Sequence, residues 1–399
     1  MAKVLAAIVL PMLLAGFFLF FPPREIKITA APAGVENNNV LALNEAAEGT
    51  STKPVNAPLA NPSLEVRAIY LTGWTAGSEK MRKAALDLIE KNKLNGVVVD
   101  IKDYSGYLSY RTGIPAAQAA GAERQVRITD IDKVIKEFHD RNIYVIGRIS
   151  VFEDTIFAKA NPEYALKNKT TGEIWRDKKG LAWLDPAARP VWDYVVAIAK
   201  DARAKGFDEI NFDYIRFSSD GDLETIAFPV WDGTGTRADV MKDFFVYLRS
   251  ELKEIPISGD IFGLVTVEAG DLGIGQVLEH ALPYFDYLAP MVYPSHYGTG
   301  FRGYKNPAQY PYEVVSYSLA EANRRRAAYA KKIATSTPNL KLAQFRPWLQ
   351  VFDLGAAYTK PMIEKEIQAV SDVLKAGTST GGWSGWLLWD PANSYTPLK

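Results

Sequence analysis

Eight short runs rich in β-branched and aromatic residues alternate along this chain with longer segments of helical period, and few folds accommodate that count. The runs are Val66 to Leu71, Gly96 to Ile101, Ile143 to Ile149, Glu209 to Arg216, Ile257 to Phe262, Tyr287 to Val292, Leu342 to Leu349 and Gly385 to Trp389. Helical patterns fall between them at Glu79 to Asn92, Ile131 to Arg141, Pro190 to Lys205, Arg237 to Lys253, Ile274 to Leu282, Tyr312 to Lys332 and Pro361 to Ala376. In the second of these, Ile131, Val134, Ile135 and Phe138 recur at helical spacing behind Asp130, an N-cap residue. Strand and helix repeated to eight predict a closed (β/α)8 TIM barrel over residues 63–399. An open doubly wound sheet would carry a glycine-rich phosphate turn after its first strand, and Leu71-Thr72-Gly73-Trp74 does not.

The amino-terminal part reads differently. Val4 to Pro23 holds no charged residue and lies between Lys3 and the pair Arg24 and Lys27. A run of roughly 20 apolar residues is long enough to cross a bilayer. Bulky Phe17 to Phe21 stands where a cleavage site would need small residues, so residues 1–27 read as an uncleaved membrane anchor, with a cleaved secretory signal as the alternative. Either places the domain outside the cytoplasm. Residues 28–62, rich in Ala, Asn and Pro without apolar period, read as a flexible linker.

Composition removes several chemistries. Lys plus Arg and Asp plus Glu number 46 each, so no global field recruits nucleic acid. There is no cysteine and only three histidines, which leaves no thiolate nucleophile and no zinc-cysteine centre. Neither Gly-x-Ser-x-Gly nor a P-loop occurs. No cofactor is expected.

A barrel brings the carboxyl ends of all its strands to one rim. Polar residues expected there are Asp100, Lys102 and Asp103, then Arg148, Asp213, Arg216, Asp260, Tyr293, His296, Arg346, Gln350 and Asp390. Acids dominate, and Trp74, Trp183, Trp348, Trp386 and Trp389 fall near the same ends. Carboxyl pairs beside aromatic rings suit sugar chemistry, in which one acid protonates the leaving oxygen and another attacks the anomeric carbon or activates water. Asp100 and Lys102 share a strand face and could pair with each other. Asp390, before Pro391, could be a turn residue. A divalent ion on Asp100, Asp103 and Asp213 is a weaker alternative.

Five ordered blocks carry a resemblance: Phe207 to Phe217, Asp260-Ile261-Phe262-Gly263, Asp271 to Gln276, Tyr287 to Tyr297 and Trp389-Asp390-Pro391. Together they resemble the "putative glycosyl hydrolase domain" family, bacterial TIM barrels first filed as a domain of unknown function. The resemblance implies a sugar-cleaving or sugar-binding barrel at the cell envelope, with Asp213, Arg216, Asp260, Asp271, Gln276, Tyr293 and His296 at the site. The expectation is a membrane-tethered glycoside hydrolase with a polysaccharide partner. Asp213 would be nucleophile or base, Asp260 the proton donor between Phe262 and Tyr293, and Arg216 the cation holding Asp213 ionised. Asp100, Lys102, Arg148, Arg346, Trp348, Trp389 and Asp390 would bind substrate. A noncatalytic carbohydrate-binding or scaffold barrel is the rival reading.

Overall fold

The computed structural model describes residues 56–375 and 382–399. Eight parallel strands close on themselves: Val66–Leu71, Gly96–Lys102, Tyr144–Ser150, Glu209–Asp213, Ile257–Phe262, Tyr287–Met291, a seventh in two pieces (Gln344–Phe345 and Trp348–Gln350), and Gly385–Trp389. The last strand pairs with the first, Val66 opposite Gly385, which completes the barrel. The seventh strand breaks at Arg346 and Pro347, because proline has no N–H to give to a ladder.

Two strands differ instructively from their sequence patterns. The fourth ends at Asp213 rather than Arg216, since Tyr214 turns to φ 54° and leaves the extended region. In the second, a register shift between Asp100 and Lys102 sends their side chains to different places. The helices between strands follow the apolar periods closely. Asp130 caps Ile131–His139 by accepting from Lys133 N at 2.9 Å, as its position predicts. The segment expected to be helical from Ile274 is helical only over Leu278–Ala281, because Gln276 is turned inward to bond strand ends.

One core fills the space between strands and helices. A second, smaller one fills the barrel interior with Val66, Ala68, Tyr70, Val98, Tyr144, Ile146, Ala289, Tyr293, Trp348 and Leu387. The candidate anchor lies outside the described residues, and no helix among the described residues is long and apolar enough to cross a membrane. The described end of the expected linker is packed: Asn56 is buried and donates to Asp132 O, and Leu59 N donates to Asp208 Oδ1 at the amino-terminal end of the barrel.

Candidate active site

Interior positions alternate along each strand, so inward residues near the carboxyl ends of neighbouring strands stand close together at the carboxyl-terminal mouth. On the second, third, fourth and fifth strands these are Asp100, Arg148, Asp213 and Asp260. Arg148 sits among the three acids. Its Nη1 donates to Asp100 Oδ1 at 2.6 Å, its Nη2 to Asp213 Oδ2, and its Nε stands 3.9 Å from Asp260 Oδ2. One guanidinium therefore faces three carboxyls.

Such a ratio cannot be neutral with every acid ionised, and burial of a charge is costly. Burial raises the Asp260 pKa well above the ordinary carboxyl value, reinforced by the charge of Asp213 and opposed by Arg148, Asn211 and Trp348. Asp100 is raised by burial too, against the pull of Arg148 and of Tyr70, whose hydroxyl donates to Asp100 Oδ2 at 2.5 Å. Arg148 is held above its usual value: burial works against the cation, but Asp100 and Asp213 outweigh it. Asp260 Oδ1 accepts from Asn211 Nδ2 and Trp348 Nε1, each at 2.8 Å, which leaves Oδ2 to carry a proton. Asp260 is 1% exposed and Asp213 is 8% exposed, so Asp213 is the acid closer to solvent.

Aromatic rings wall this mouth. Trp389 stacks on Tyr70 with centroids 4.0 Å apart, Trp348 meets Trp389 edge-on at 5.3 Å, and the Arg148 guanidinium lies 5.1 Å from the Trp389 ring. Tyr293, near enough to Asp213 and Asp260 to feel their charge, is edge-on to exposed His296 and to Phe352. Arg216 does not hold Asp213 by a direct ion pair; Arg148 does. The Arg216 head lies among Trp183, Tyr214 and Phe262, and its Nη1 donates to Phe217 O and Ser219 Oγ. The reason is the early end of the fourth strand, which carries Arg216 past the rim.

Five expected site residues stand elsewhere or are otherwise engaged. Lys102, past the bulge, faces the helical layer and pairs with Asp154 at 2.5 Å, not with Asp100. Arg346 lies at the opposite, amino-terminal end, paired with Glu209 at 2.7 Å and stacked 3.8 Å over Tyr287. Asp390 accepts from Ala392 N, Ser394 N, Ser394 Oγ and Tyr395 N, so its oxygens close a turn. Gln276 bonds Phe262 N, Ile215 O and Asp260 O, tying strand ends by their backbone. Asp271 caps its own turn at Gly273 N. Asp100, Asp103 and Asp213 do not converge on a metal site either, as Asp103 pairs with Arg127; among the described residues no His, Asp and Glu cluster is arranged for an ion.

Sequence reading missed Tyr70 and Glu153. Glu153 follows the third strand and is 1% exposed, and its Oε2 has no hydrogen-bond partner. Burial raises its pKa to about 8, opposed by Arg216 and reinforced by Asp177. An acid pair directly behind a barrel strand, Glu153-Asp154, was its visible signal. The long connection after the third strand carries Trp175 and Trp183. Both are buried, donating to Asp222 O and Asp177 Oδ2, and so present no open face to a ligand.

Against known proteins, the family described as "Putative glycosyl hydrolase domain" matches residues 68–395, nearly the whole barrel. The chain belongs to this family. No curated protein matches it. Among solved structures, a hypothetical protein from Ruminiclostridium thermocellum is 41% identical over 48% of this chain and 96% of that one, with a TM-score of 0.45. A family GH20 exo-β-N-acetylglucosaminidase from Vibrio harveyi is 11% identical over 82% of this chain, with a TM-score of 0.51, and this chain covers half of it. An α-galactosidase from Thermus thermophilus is 12% identical over 84% of this chain and 60% of its own, with a TM-score of 0.46. At such identity the Vibrio enzyme is evidence of a common fold alone. For a member of a glycosyl hydrolase domain family, the cluster around Arg148 occupies the end of the barrel where such folds place their chemistry.

Proposed function

We propose that this barrel hydrolyses glycosidic bonds in a cell-envelope or extracellular polysaccharide. The observation that carries the reading is the convergence of three carboxyls on Arg148 at the mouth, of which Asp213 is the least deeply buried and Asp260 has its pKa raised by burial. In this mechanism the proton on Asp260 passes to the glycosidic oxygen as its bond to the anomeric carbon breaks. Asp213 either bonds to that carbon or takes a proton from the water that does. Arg148 orients Asp213 and balances the charge left on Asp260. Trp389 and Tyr293 stand beside this cluster, with His296 edge-on to Tyr293. The amino-terminal apolar run, read as an anchor, supports a substrate outside the cytoplasm.

One observation favours a second reading, a noncatalytic glycan-binding barrel. Asp260 is nearly sealed, and its Oδ1 is held by two donors, so proton delivery requires Trp348 and its neighbours to give way. A single experiment separates the two: incubating the chain with peptidoglycan fragments and bacterial exopolysaccharides while following new reducing ends and binding heat. Hydrolysis should fall by about 10²- to 10⁴-fold in Asp213→Asn, with little change in melting temperature. Undiminished turnover in that variant sinks the mechanism, and binding without reducing ends from the native chain establishes the second reading.

A further inference from the structure

Trp74 is 59% exposed, on a short helix, Gly73–Gly77, that leaves the rim directly after the first strand. Scattered surface apolar residues are ordinary, but this one is rigidly mounted. This helix is seated with almost no clearance. A Cβ on Gly73 would stand 2.2 Å from Ser109 Oγ, and one on Gly77 would stand 1.9 Å from Arg127 O. Thr72 caps it by accepting from Thr75 N, and Thr72 N is held by Asn393 Oδ1 at 2.7 Å. Beneath the indole the Arg127 guanidinium lies 5.3 Å from the ring, with Arg127 itself fixed by Asp103 at 2.7 Å. Tyr104, 50% exposed, follows Asp103 in the loop after the second strand. An indole backed by a fixed cation, with its outer side in solvent, presents a preorganised flat surface of the kind that sugar rings cover with their C–H faces.

We propose that Trp74 is a remote glycan subsite on the rim by the first and second strands. It takes a sugar residue of a chain whose scissile bond lies at Asp213. The inference rests on the glycan reading of the mouth and deepens it. The substrate is a polymer running out along the rim, not a single terminal sugar held in a pit. Binding should then strengthen with chain length until the subsite is filled.

Chito-, cello- and xylo-oligosaccharides of two to six residues, titrated calorimetrically against the full chain and against Trp74→Ala, Trp74→Phe and Asp213→Asn, test this. For a series that binds, affinity should rise from dimer to hexamer. Trp74→Ala should weaken the hexamer about ten-fold while leaving the dimer unchanged, Trp74→Phe should restore most of it, and Asp213→Asn should keep the length dependence. A hexamer affinity unchanged in Trp74→Ala overturns the proposal, as does equal loss for dimer and hexamer, or absence of binding by all three series. Hydrolysis without length dependence removes the subsite and spares the hydrolase reading. Length-dependent binding without hydrolysis does the reverse.

Discussion

Two buried arginines, one at each end of the same barrel, make opposite use of the same group. At the amino-terminal end Arg346 meets one carboxylate, Glu209, among Tyr144 and Tyr287, and donates its Nε–H to Ser384 O. Charges match one to one, and the pair fills the barrel floor. At the mouth Arg148 meets Asp100, Asp213 and Asp260, with Tyr70 and Trp389 about it. Here acid is in excess and a proton must be held. A neutral pair is a packing unit, whereas an imbalanced cluster stores a titratable proton next to a base, the arrangement acid–base chemistry needs.

Breaking the mouth cluster should have the largest effect. Arg148→Met leaves three carboxyls without their cation, so both glycan turnover and folding should suffer, the latter by about 3–5 kcal/mol or more in urea unfolding at pH 7. A folded variant with full turnover would show that the cluster is only structural. Arg346→Met should cost a similar or smaller amount, about 3–5 kcal/mol, by stranding Glu209, but turnover per folded molecule should be unchanged. Lost turnover at full folding would erase the distinction between the two ends.

A smaller effect is expected at Glu153, and its sign follows from its raised pKa. The native chain keeps this proton up to about pH 8, while the unfolded chain releases it near the ordinary value of 4.5. Between those limits the folded state binds more protons, so the contribution of Glu153 to stability declines as pH rises, by at most about 1.4 kcal/mol per pH unit. Glu153→Gln should remove that decline, seen as a smaller drop in unfolding midpoint from pH 5 to pH 8; parallel profiles would count against a buried protonated acid. The smallest change in stability belongs to Asp260→Asn. An amide can keep the acceptor toward Asn211 and Trp348 and occupy the place of the protonated Oδ2, so folding should shift by no more than about 1 kcal/mol. A larger loss at pH 7 would mean that Asp260 is needed as a charged group.

What was legible in the chain, and what was not, divides along the range of the interactions involved. Seven of the eight strands begin and end within two residues of their apolar runs, the fourth stopping three residues early, because burial on both faces of a parallel strand writes itself into local composition. The positions of Asp213 and Asp260 at one mouth follow from the same regularity, as does the helix cap at Asp130. Partners were not legible. Nothing local distinguishes Arg148 from Arg346, although closure of the barrel places them at opposite ends. The bulge after Asp100 and the turn at Tyr214 each redirect one expected side chain, Lys102 and Arg216, through backbone geometry that alternation does not encode.

By itself, then, the order of apolar runs determined a (β/α)8 barrel and which acids its strands would end on, since side-chain period and burial are short-range properties of the chain. Only the tertiary structure decided which charges meet. Whether an arginine neutralises one carboxylate or is shared by three depends on residues up to 137 positions apart, as with Glu209 and Arg346, brought within hydrogen-bond reach by closure of the sheet.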